Sequence, residues 1–313
     1  MKRAFVFPGQ GSQAPGMGQA LAAAFPAARR LFDEVDEALS QPLSRLMFEG
    51  PEDELMLTEN AQPALLAASL AVMRVLESEA GFDLARQAAY VAGHSLGEYS
   101  ALAAAGALSV TAAARLVKRR GRAMQKAVPV GEGAMAALLG LEIEAARAVA
   151  AAAAQGQVCD LANDNSPGQI VVSGHTGAVE RAVALAAKAG ARRAIMLPVS
   201  APFHCSLMRP AAEIMEEALA RTVLEAPLVP LVANAAAAAT SDPGEIKELL
   251  VEQATQMVRW RESVLLFAAN QVEEVVEIGA GRVLAGLVKR IDRTLSALSV
   301  GTPADIEALV QRL

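Results

Sequence analysis

The sequence is poor in cysteine and has no long apolar run. Two of its 313 residues are cysteines, which is too few for a disulfide framework and fits a reducing compartment. No segment reaches the roughly 20 apolar residues that a membrane-spanning helix needs. The start of the chain is basic but lacks the apolar core of a secretory signal peptide. We therefore expect a cytoplasmic protein that does not act at a membrane.

The chain also lacks an excess of positive charge. Its formal net charge is -6, which argues against nucleic acid as a partner. Hydrophobic residues make up 53% of the chain and charged residues 20%, so a substantial core can form. A length of 313 residues suits one large domain, or a large domain with an insert.

One motif of catalytic type stands between a predicted strand and a predicted helix. Gly-His-Ser-Leu-Gly at 93–97 is a G-x-S-x-G motif that follows apolar residues 88–92 and precedes a helix-forming run at 99–105. Because glycine has no Cβ, strand and helix can pass close together at a sharp turn. The Ser95 hydroxyl is then exposed, and the following N–H groups face any oxyanion formed there. Ser95 is therefore a candidate nucleophile, although the pattern also occurs by chance in loops.

A glycine-rich loop at residues 8–13 follows the first predicted strand, at residues 4–7. It lacks the Lys-Ser/Thr pair of a P-loop and the spacing of a dinucleotide fingerprint. It is either an ordinary tight turn or a source of backbone N–H groups at the carboxyl end of the strand.

Helical patterns at residues 20–39, 61–77 and 110–126 include one misplaced charge. In the third helix, which Ser109 is expected to cap, Arg120 lies four residues from both Leu116 and Met124 and so faces the apolar side. An unpaired buried charge is costly, so Arg120 needs an anion. That anion is either an acidic side chain in a salt bridge or the carboxylate of a substrate.

Residues 129–198 differ in pattern from the chain around them. Their predicted elements follow the order β-α-β-β-α-β of a ferredoxin-like unit, with a turn-rich link at 163–168. Strands are predicted again at 228–233, 272–278 and 295–300. We expect an α/β fold: an α/β-hydrolase-like large domain with a mostly parallel sheet (residues 1–128 and 199–313) and an inserted ferredoxin-like subdomain (residues 129–198).

Three histidines are available to activate the serine. His94 adjoins Ser95, so its side chain should diverge from the hydroxyl, and His175 lies within the insert. His204 lies on a loop where the chain returns to the large domain, which makes it the best candidate base. No acid is identified as a third member. A backbone carbonyl or the amide of Gln253, which falls in an inward-facing stripe, could hold the imidazole instead.

These segments together resemble one family. They are Phe-Pro-Gly-Gln-Gly-Ser-Gln at 7–13, Gly-His-Ser-Leu-Gly-Glu-Tyr at 93–99, Arg120, Pro-Phe-His at 202–204 and Gln253. The combination is similar to malonyl-CoA:acyl carrier protein transacylases over nearly the whole chain, including the insert. The resemblance implies that Ser95 accepts the acyl group and that His204 is general base and acid. It further implies that Arg120 binds the malonyl carboxylate, that the N–H groups of Gln10 and Leu96 form the oxyanion hole, and that Gln253 orients His204.

The resemblance also implies the partners. Malonyl-CoA and acyl carrier protein are expected to react by a ping-pong mechanism through a malonyl-serine, in fatty acid biosynthesis. No metal or cofactor is expected, since CoA and phosphopantetheine enter as parts of substrates, and we expect a monomer. Because the carrier is acidic in this family, we expect it to dock on basic residues, with candidates Lys118, Arg119, Arg122, Lys188, Arg192 and Arg193. The alternatives are a stand-alone acyltransferase of a polyketide synthase and a serine hydrolase.

Overall fold

A computed structural model describes residues 1–312, and its larger β-sheet carries the candidate motifs. From one edge to the other the strands are β10 (Ser296–Val300), β9 (Glu274–Ile278), β1 (Arg3–Phe7), β2 (Tyr90–Gly93), β7 (Leu231–Ala233) and β8 (Ala238–Thr240). Neighbours are parallel except for β7 and β8, which are antiparallel. The glycine-rich loop after β1 and the serine motif after β2 therefore lie side by side at the carboxyl edge of the sheet.

The central strand β1 is buried on both faces. Phe5 and Phe7 pack into one apolar cluster, whereas Ala4 and Val6 pack into another that contains Trp260. This alternation follows from the two-residue period of a strand, and helices on both faces are the usual cover of a parallel sheet. The rigid centre of the sheet thus supports the edge at which the motifs lie.

The helices differ from the predicted ones mainly at their ends. They are α1 (Gln19–Ala24), α2 (Pro26–Leu39), α3 (Leu43–Glu49), α4 (Glu52–Met56), α5 (Thr58–Ala80), α6 (Leu84–Gln87), α7 (Gly97–Ala104), α8 (Val110–Ala127), α9 (Ile143–Ala154), α10 (Thr176–Lys188), α11 (Arg209–Ala220), α12 (Pro243–Glu252), α13 (Trp260–Ala269), α14 (Val283–Ile291) and α15 (Pro303–Val310). The single helix predicted at 20–39 was wrong, because Pro26 forces Phe25 into an extended conformation between α1 and α2. Ser109 caps α8 as predicted, accepting the N–H of Ala112 at 3.1 Å.

A smaller antiparallel sheet lies within the chain segment of the predicted insert. Its order is β4 (Cys159–Ser166), β5 (Gln169–His175), β3 (Gly133–Leu139) and β6 (Arg193–Met196). With α9 and α10, the chain runs β-α-β-β-α-β, as predicted. The turn-rich link predicted at 163–168 was wrong: residues 163–166 belong to β4, and only Pro167 and Gly168 form the turn.

Polar groups of β4 attach the small sheet to the large domain, which explains their place in a strand. The Asp164 carboxylate accepts from Arg261, with Nη2 and Oδ2 2.8 Å apart. The N–H of Asp164 donates to the carbonyl of Val258 at 3.0 Å, and the N–H of Val258 donates to the carbonyl of Ala162 at 2.9 Å. The small sheet is thus joined through β4 to residues 258–261 of the large domain.

The predicted α/β fold, with a mostly parallel sheet and a smaller ferredoxin-like unit, is confirmed. The exact domain boundaries stay a prediction. Among residues 1–312, no helix is both long enough and apolar enough to cross a membrane.

Candidate active site

Ser95 stands on a strained turn between β2 and α7. Its φ of 53° lies in the left-handed region, which is unfavourable for a serine. A Cβ on Gly93 would lie 1.9 Å from the carbonyl carbon of Gly97, and a Cβ on Gly97 would lie 2.2 Å from the carbonyl oxygen of Phe7. Only glycine fits at both positions, so the two glycines of the motif allow the close passage that the turn requires.

Two buried side chains hold the backbone of Ser95 on either side. The Ser95 N–H donates to Oδ1 of Asn234 at 2.7 Å, and Nε2 of Gln253 donates to the Ser95 carbonyl oxygen at 2.9 Å. A second bond, 2.7 Å from Nδ2 of Asn234 to the carbonyl of Gly93, ties Asn234 to the end of β2. These contacts stabilise the left-handed backbone that presents the Ser95 hydroxyl.

His204 lies on the loop before α11 and contacts the serine. Its Nε2 is 2.8 Å from Oγ of Ser95, and its Nδ1 is 2.8 Å from the backbone carbonyl oxygen of Gln253. A carbonyl only accepts, so Nδ1 carries the proton and Nε2 is free to accept one. Burial and, secondly, the positive charge of Arg120 lower the His204 pKa to about 3, so the imidazole is neutral at pH 7.

Arg120 is a buried cation with neutral partners. Only 2% of the residue is exposed. Its Nη1 donates to Oε1 of Gln62 at 2.9 Å, and its Nη2 donates to Oε1 of Gln253 at 2.8 Å and to Oγ of Ser95 at 3.1 Å. Within residues 1–312 no carboxylate forms a salt bridge with it, so the structural ion pair that the sequence left open is not formed. The guanidinium is therefore placed to receive an anion beside the serine.

A cavity of about 300 Å³ opens between the two sheets and reaches these groups. The large domain contributes Gln10, Ser95, Leu96, Arg120 and His204 to its lining, and the small sheet contributes Met135, Asn163, Asn165 and Val171. In the described chain, the backbone N–H groups of Gln10 and Leu96 donate to no protein acceptor. The two donors expected at an oxyanion hole are thus at the cavity wall and available.

The structure brings together the six site residues predicted from sequence, but not always through the expected atoms. Gln253 contacts the imidazole of His204 through its backbone carbonyl, while its side-chain amide contacts Ser95 and Arg120. His94 does turn away from the hydroxyl, with Nε2 2.8 Å from Oδ1 of Asn165 in β4. Gln253 therefore orients three groups: His204 through its backbone, and Ser95 and Arg120 through its side chain.

Sequence reasoning missed three polar residues around the serine. Gln62 and Asn234 contact Arg120 and Ser95, as described above. Glu98, fully buried in the first turn of α7, accepts from Nε2 of Gln253 at 2.8 Å, and burial raises its pKa to about 7. No spacing in the sequence marks Glu98, because its contact with Gln253 spans 155 positions.

Lys118, one of the predicted docking residues for the carrier, does not lie on the surface. It is buried, and its Nζ lies 3.2 Å from the Glu59 carboxylate. Arg122 pairs with the same carboxylate at 2.7 Å, and Arg119 lies 3.9 Å from Glu217. Of the candidates, the exposed ones without an acidic partner in the described chain are Lys188, Arg192 and Arg193.

Comparison with known proteins places this site in a family. The acyl transferase domain model matches residues 4–306. Malonyl CoA-acyl carrier protein transacylase of Bacillus subtilis (strain 168) is 49% identical over 313 residues, which cover 100% of this chain and 97% of the relative. The enzyme of the same name from Escherichia coli (strain K12) is 46% identical over 98% of both chains.

Solved structures of malonyltransferases also resemble this chain over its whole length. The acyl-carrier-protein-S-malonyltransferase from Bartonella henselae superposes with a TM-score of 0.97 at 53% identity, covering 100% of this chain and 99% of that one. A malonyl-transacylase solved in complex with a type II PKS acyl-carrier protein gives a TM-score of 0.96 at 43% identity, with both chains fully covered. The chain therefore belongs to the acyl transferase domain family, among the malonyl CoA-acyl carrier protein transacylases.

Proposed function

We propose that this protein transfers the malonyl group of malonyl-CoA to the phosphopantetheine thiol of acyl carrier protein, in fatty acid biosynthesis, through an ester on Ser95. One observation carries the proposal: Oγ of Ser95 lies 2.8 Å from Nε2 of His204 and 3.1 Å from Nη2 of Arg120. A nucleophile, its base and a buried cation thus meet at one oxygen. The names of the 49% and 46% identical relatives support the same reaction.

In the first half-reaction, Oγ of Ser95 attacks the thioester carbonyl while Nε2 of His204 takes the hydroxyl proton. The negative charge that develops on the carbonyl oxygen is stabilised by the N–H groups of Gln10 and Leu96. The C–S bond then breaks, and the CoA sulfur leaves with the proton from His204. The Gln253 carbonyl stabilises the transient imidazolium by accepting from Nδ1, the part that an acid plays in a catalytic triad.

In the second half-reaction the carrier thiol replaces CoA. His204 takes its proton, the sulfur attacks the malonyl ester, and the Ser95 oxygen leaves with that proton. Every proton moves between sulfur, oxygen and Nε2, so no metal or redox cofactor takes part in the proposed transfer. CoA and phosphopantetheine enter as parts of the two substrates.

Arg120 gives the proposed site its preference for a carboxylated acyl group. A guanidinium binds a carboxylate through two parallel, charge-assisted hydrogen bonds. The charge of Arg120 also lowers the His204 pKa in the free protein. A bound malonyl carboxylate offsets that charge, so His204 becomes a stronger base when the correct substrate is present. Uncharged acetyl groups produce neither effect.

A carrier of polyketide synthesis is the second candidate acceptor. The observation that favours it is the 43% identical relative solved with a type II PKS carrier. The two candidates share all chemistry at Ser95 and differ only in the protein that supplies the thiol. Rates of transfer to a fatty-acid carrier and to a type II PKS carrier, measured side by side, decide between them.

Intact-mass spectrometry after brief exposure to malonyl-CoA tests the proposal. We expect one malonyl group on the protein, located at Ser95 by peptide mapping and discharged by the thiol of holo acyl carrier protein. Ser95→Ala is the matched control and should gain no mass. If the unmodified protein remains unacylated, or if water discharges the ester as fast as the carrier does, the protein is not this transferase.

The proposal locates the enzyme in the cytoplasm. Cys159 and Cys205 are both free thiols in the structure, and both are buried. Burial raises the pKa of each thiol to about 11, so they stay protonated and unreactive at pH 7. Unpaired cysteines are typical of a reducing compartment, which supports this location.

A further inference from the structure

Glu98 is a fully buried acid that the reaction described above does not use. It lies in the first turn of α7, three residues after the nucleophile. One of its carboxylate oxygens, Oε2, accepts two hydrogen bonds: from the backbone N–H of Asn234 at 3.1 Å and from Nε2 of Gln253 at 2.8 Å. Its other oxygen is buried and has no hydrogen-bond partner in the described chain. Both contacts of the carboxylate are therefore made by a single atom.

The two residues joined by Glu98 are the two that hold the Ser95 backbone. Asn234 accepts the Ser95 N–H at 2.7 Å, and Gln253 donates to the Ser95 carbonyl at 2.9 Å. The Ser95 φ of 53° is unfavourable, so the turn keeps this shape only while its surroundings impose it. Glu98 therefore links Asn234 and Gln253, the two residues that hold the Ser95 backbone in this conformation.

Glu98 also fixes which way the Gln253 amide faces. Oε2 accepts the backbone N–H of Asn234 and acts as an acceptor toward Gln253 as well, so the NH₂ group of Gln253 must face Glu98. The amide oxygen is then turned toward Arg120, whose Nη2 donates to it at 2.8 Å. With the amide reversed, NH₂ would face the guanidinium, donor against donor. Oε2 of Glu98 therefore orients the Gln253 amide, and this amide contacts both Ser95 and Arg120.

We propose that Glu98 is a positioning residue for acyl transfer. Through Asn234 and Gln253 it holds the side chains of Ser95 and Arg120 in their positions relative to each other. The inference deepens the proposed function and rests on it, because Ser95 and Arg120 are taken as nucleophile and carboxylate-binding group. It requires an acceptor oxygen at the position of Oε2. A negative charge elsewhere in the pocket does not meet that requirement.

The test compares three substitutions at one position. Glu98→Met keeps the length of the side chain but removes the acceptor. Glu98→Asp keeps the charge but withdraws the oxygen from Gln253. Glu98→Gln keeps an acceptor oxygen without charge.

Quenched-flow mass spectrometry gives the rate of Ser95 acylation by malonyl-CoA and by acetyl-CoA. A displacement of about 1 Å in a reacting geometry costs on the order of 10²-fold in rate. We expect Glu98→Met and Glu98→Asp to lose about that factor with malonyl-CoA and clearly less with acetyl-CoA, and Glu98→Gln to recover most of the rate.

Glu277 supplies the matched control. It is also a fully buried glutamate whose oxygens accept backbone N–H groups, those of Leu284 and Ala285, but it lies on β9 outside the cavity lining. Glu277→Met should lower the thermal midpoint and leave the ratio of malonyl to acetyl acylation unchanged. Each Glu98 variant is compared at a temperature at which its circular dichroism is native. Should Glu98→Met fail to fold, Glu98→Asp carries the comparison.

The proposal is overturned if Glu98→Asp keeps the ratio of malonyl to acetyl acylation, or if Glu98→Gln is as slow as Glu98→Asp. A changed ratio in Glu277→Met would also overturn it, because any buried glutamate would then have the same effect. Failure of the unmodified protein to be acylated by malonyl-CoA is a different result, and it counts against the proposed function instead.

Discussion

The Nη2 atom of Arg120 donates a hydrogen bond to Oγ of Ser95 over 3.1 Å. The same oxygen lies 2.8 Å from Nε2 of His204, so it is held between a cation and a neutral base. A malonyl group bound as an ester on this oxygen has its carboxylate only a few bonds away. The cation that contacts the free hydroxyl is therefore also within reach of the acid end of the acyl group.

Arg120→Ala should impair malonyl transfer more than acetyl transfer. Truncating one partner of a buried charge pair costs about 2–5 kcal/mol, which corresponds to roughly 30- to several-thousand-fold in kcat/KM. Acetyl-CoA has no carboxylate, so its kcat/KM should change only through the lost contact with Ser95 and the higher pKa of His204. Both constants are measured by release of CoA.

Arg120→Lys separates charge from geometry in the same assay. Lysine keeps the charge but cannot form two parallel bonds to a carboxylate, so we expect malonyl transfer between that of Arg120→Ala and that of the unmodified protein. Equal losses for malonyl and acetyl groups in Arg120→Ala would show that Arg120 does not bind the substrate carboxylate.

Gln253→Ala should leave His204 in place and disturb Arg120. The imidazole is held by the backbone carbonyl of residue 253, which the substitution retains, while the side chain that contacts Arg120 and Ser95 is lost. We expect the His204 tautomer to be unchanged by ¹⁵N NMR and the malonyl kcat/KM to fall by about tenfold or more, as for loss of a hydrogen bond to a charged group. A changed tautomer would mean that the side chain orients the imidazole.

His204 should stay neutral in the free protein well below pH 6.5. Its pKa is lowered to about 3 by burial and, secondly, by Arg120, so the protonated form is absent from about pH 8 to pH 5. The ¹⁵N shifts of histidine-labelled protein test this, with Ser95→Ala used to hold malonyl-CoA unreacted. Bound malonyl-CoA should move the titration upward, because its carboxylate offsets the charge of Arg120, and acetyl-CoA should not. A midpoint near 6.5 in the free protein would contradict the expected environment.

The parts of the site that the sequence predicts are those with a local pattern. The G-x-S-x-G turn requires glycine at 93 and 97, and the structure shows why, since a Cβ at either position would overlap backbone atoms. The sequence identifies Arg120 because its place in the helical repeat conflicts with its charge, and Arg120 is indeed buried, with no ion pair among the described residues. A local pattern of this kind predicts only the helix, strand or turn in which it lies.

The residues that were missed depend on contacts across the chain. Asn234 reaches Ser95 over 139 positions, and Glu98 reaches Gln253 over 155. Neither has a spacing that marks it, because each contact joins elements that lie far apart in the sequence. Lys118 was misplaced for the same reason: the basic residues Arg115, Arg119 and Arg122 near it on α8 are exposed, but Lys118 is buried and pairs with Glu59 on α5. Such contacts are determined by the packing of helices on the sheet, which one sequence does not specify.

Charge reversal at Arg192 and Arg193 should weaken use of the carrier. Both residues are exposed and have no acidic partner in the described chain, and β6, which begins at Arg193, leads into cavity residues 197–199. Replacing both by glutamate should raise the apparent KM for the carrier about tenfold, with an effect that shrinks at high salt, and leave acylation by malonyl-CoA unchanged. Arg30→Glu, at an exposed position of α2, is the control. An unchanged carrier KM would exclude this surface as the docking site.

Gly97→Ala should destabilise the protein and abolish acylation, because the added Cβ would lie 2.2 Å from the carbonyl oxygen of Phe7. Neither α7 nor the buried strand β1 can shift without disturbing the core, so we expect a loss of about 3 kcal/mol or more in the free energy of unfolding.

The matched control is Gly286→Ala in α14, where a new Cβ meets no atom within 4 Å. Since alanine favours a helix over glycine by about 1 kcal/mol, that variant should keep or raise the thermal midpoint. Thermal denaturation checks both, and a Gly97→Ala protein with normal stability and normal Ser95 acylation would show that β1 and α7 do not pass as closely as the structure has them.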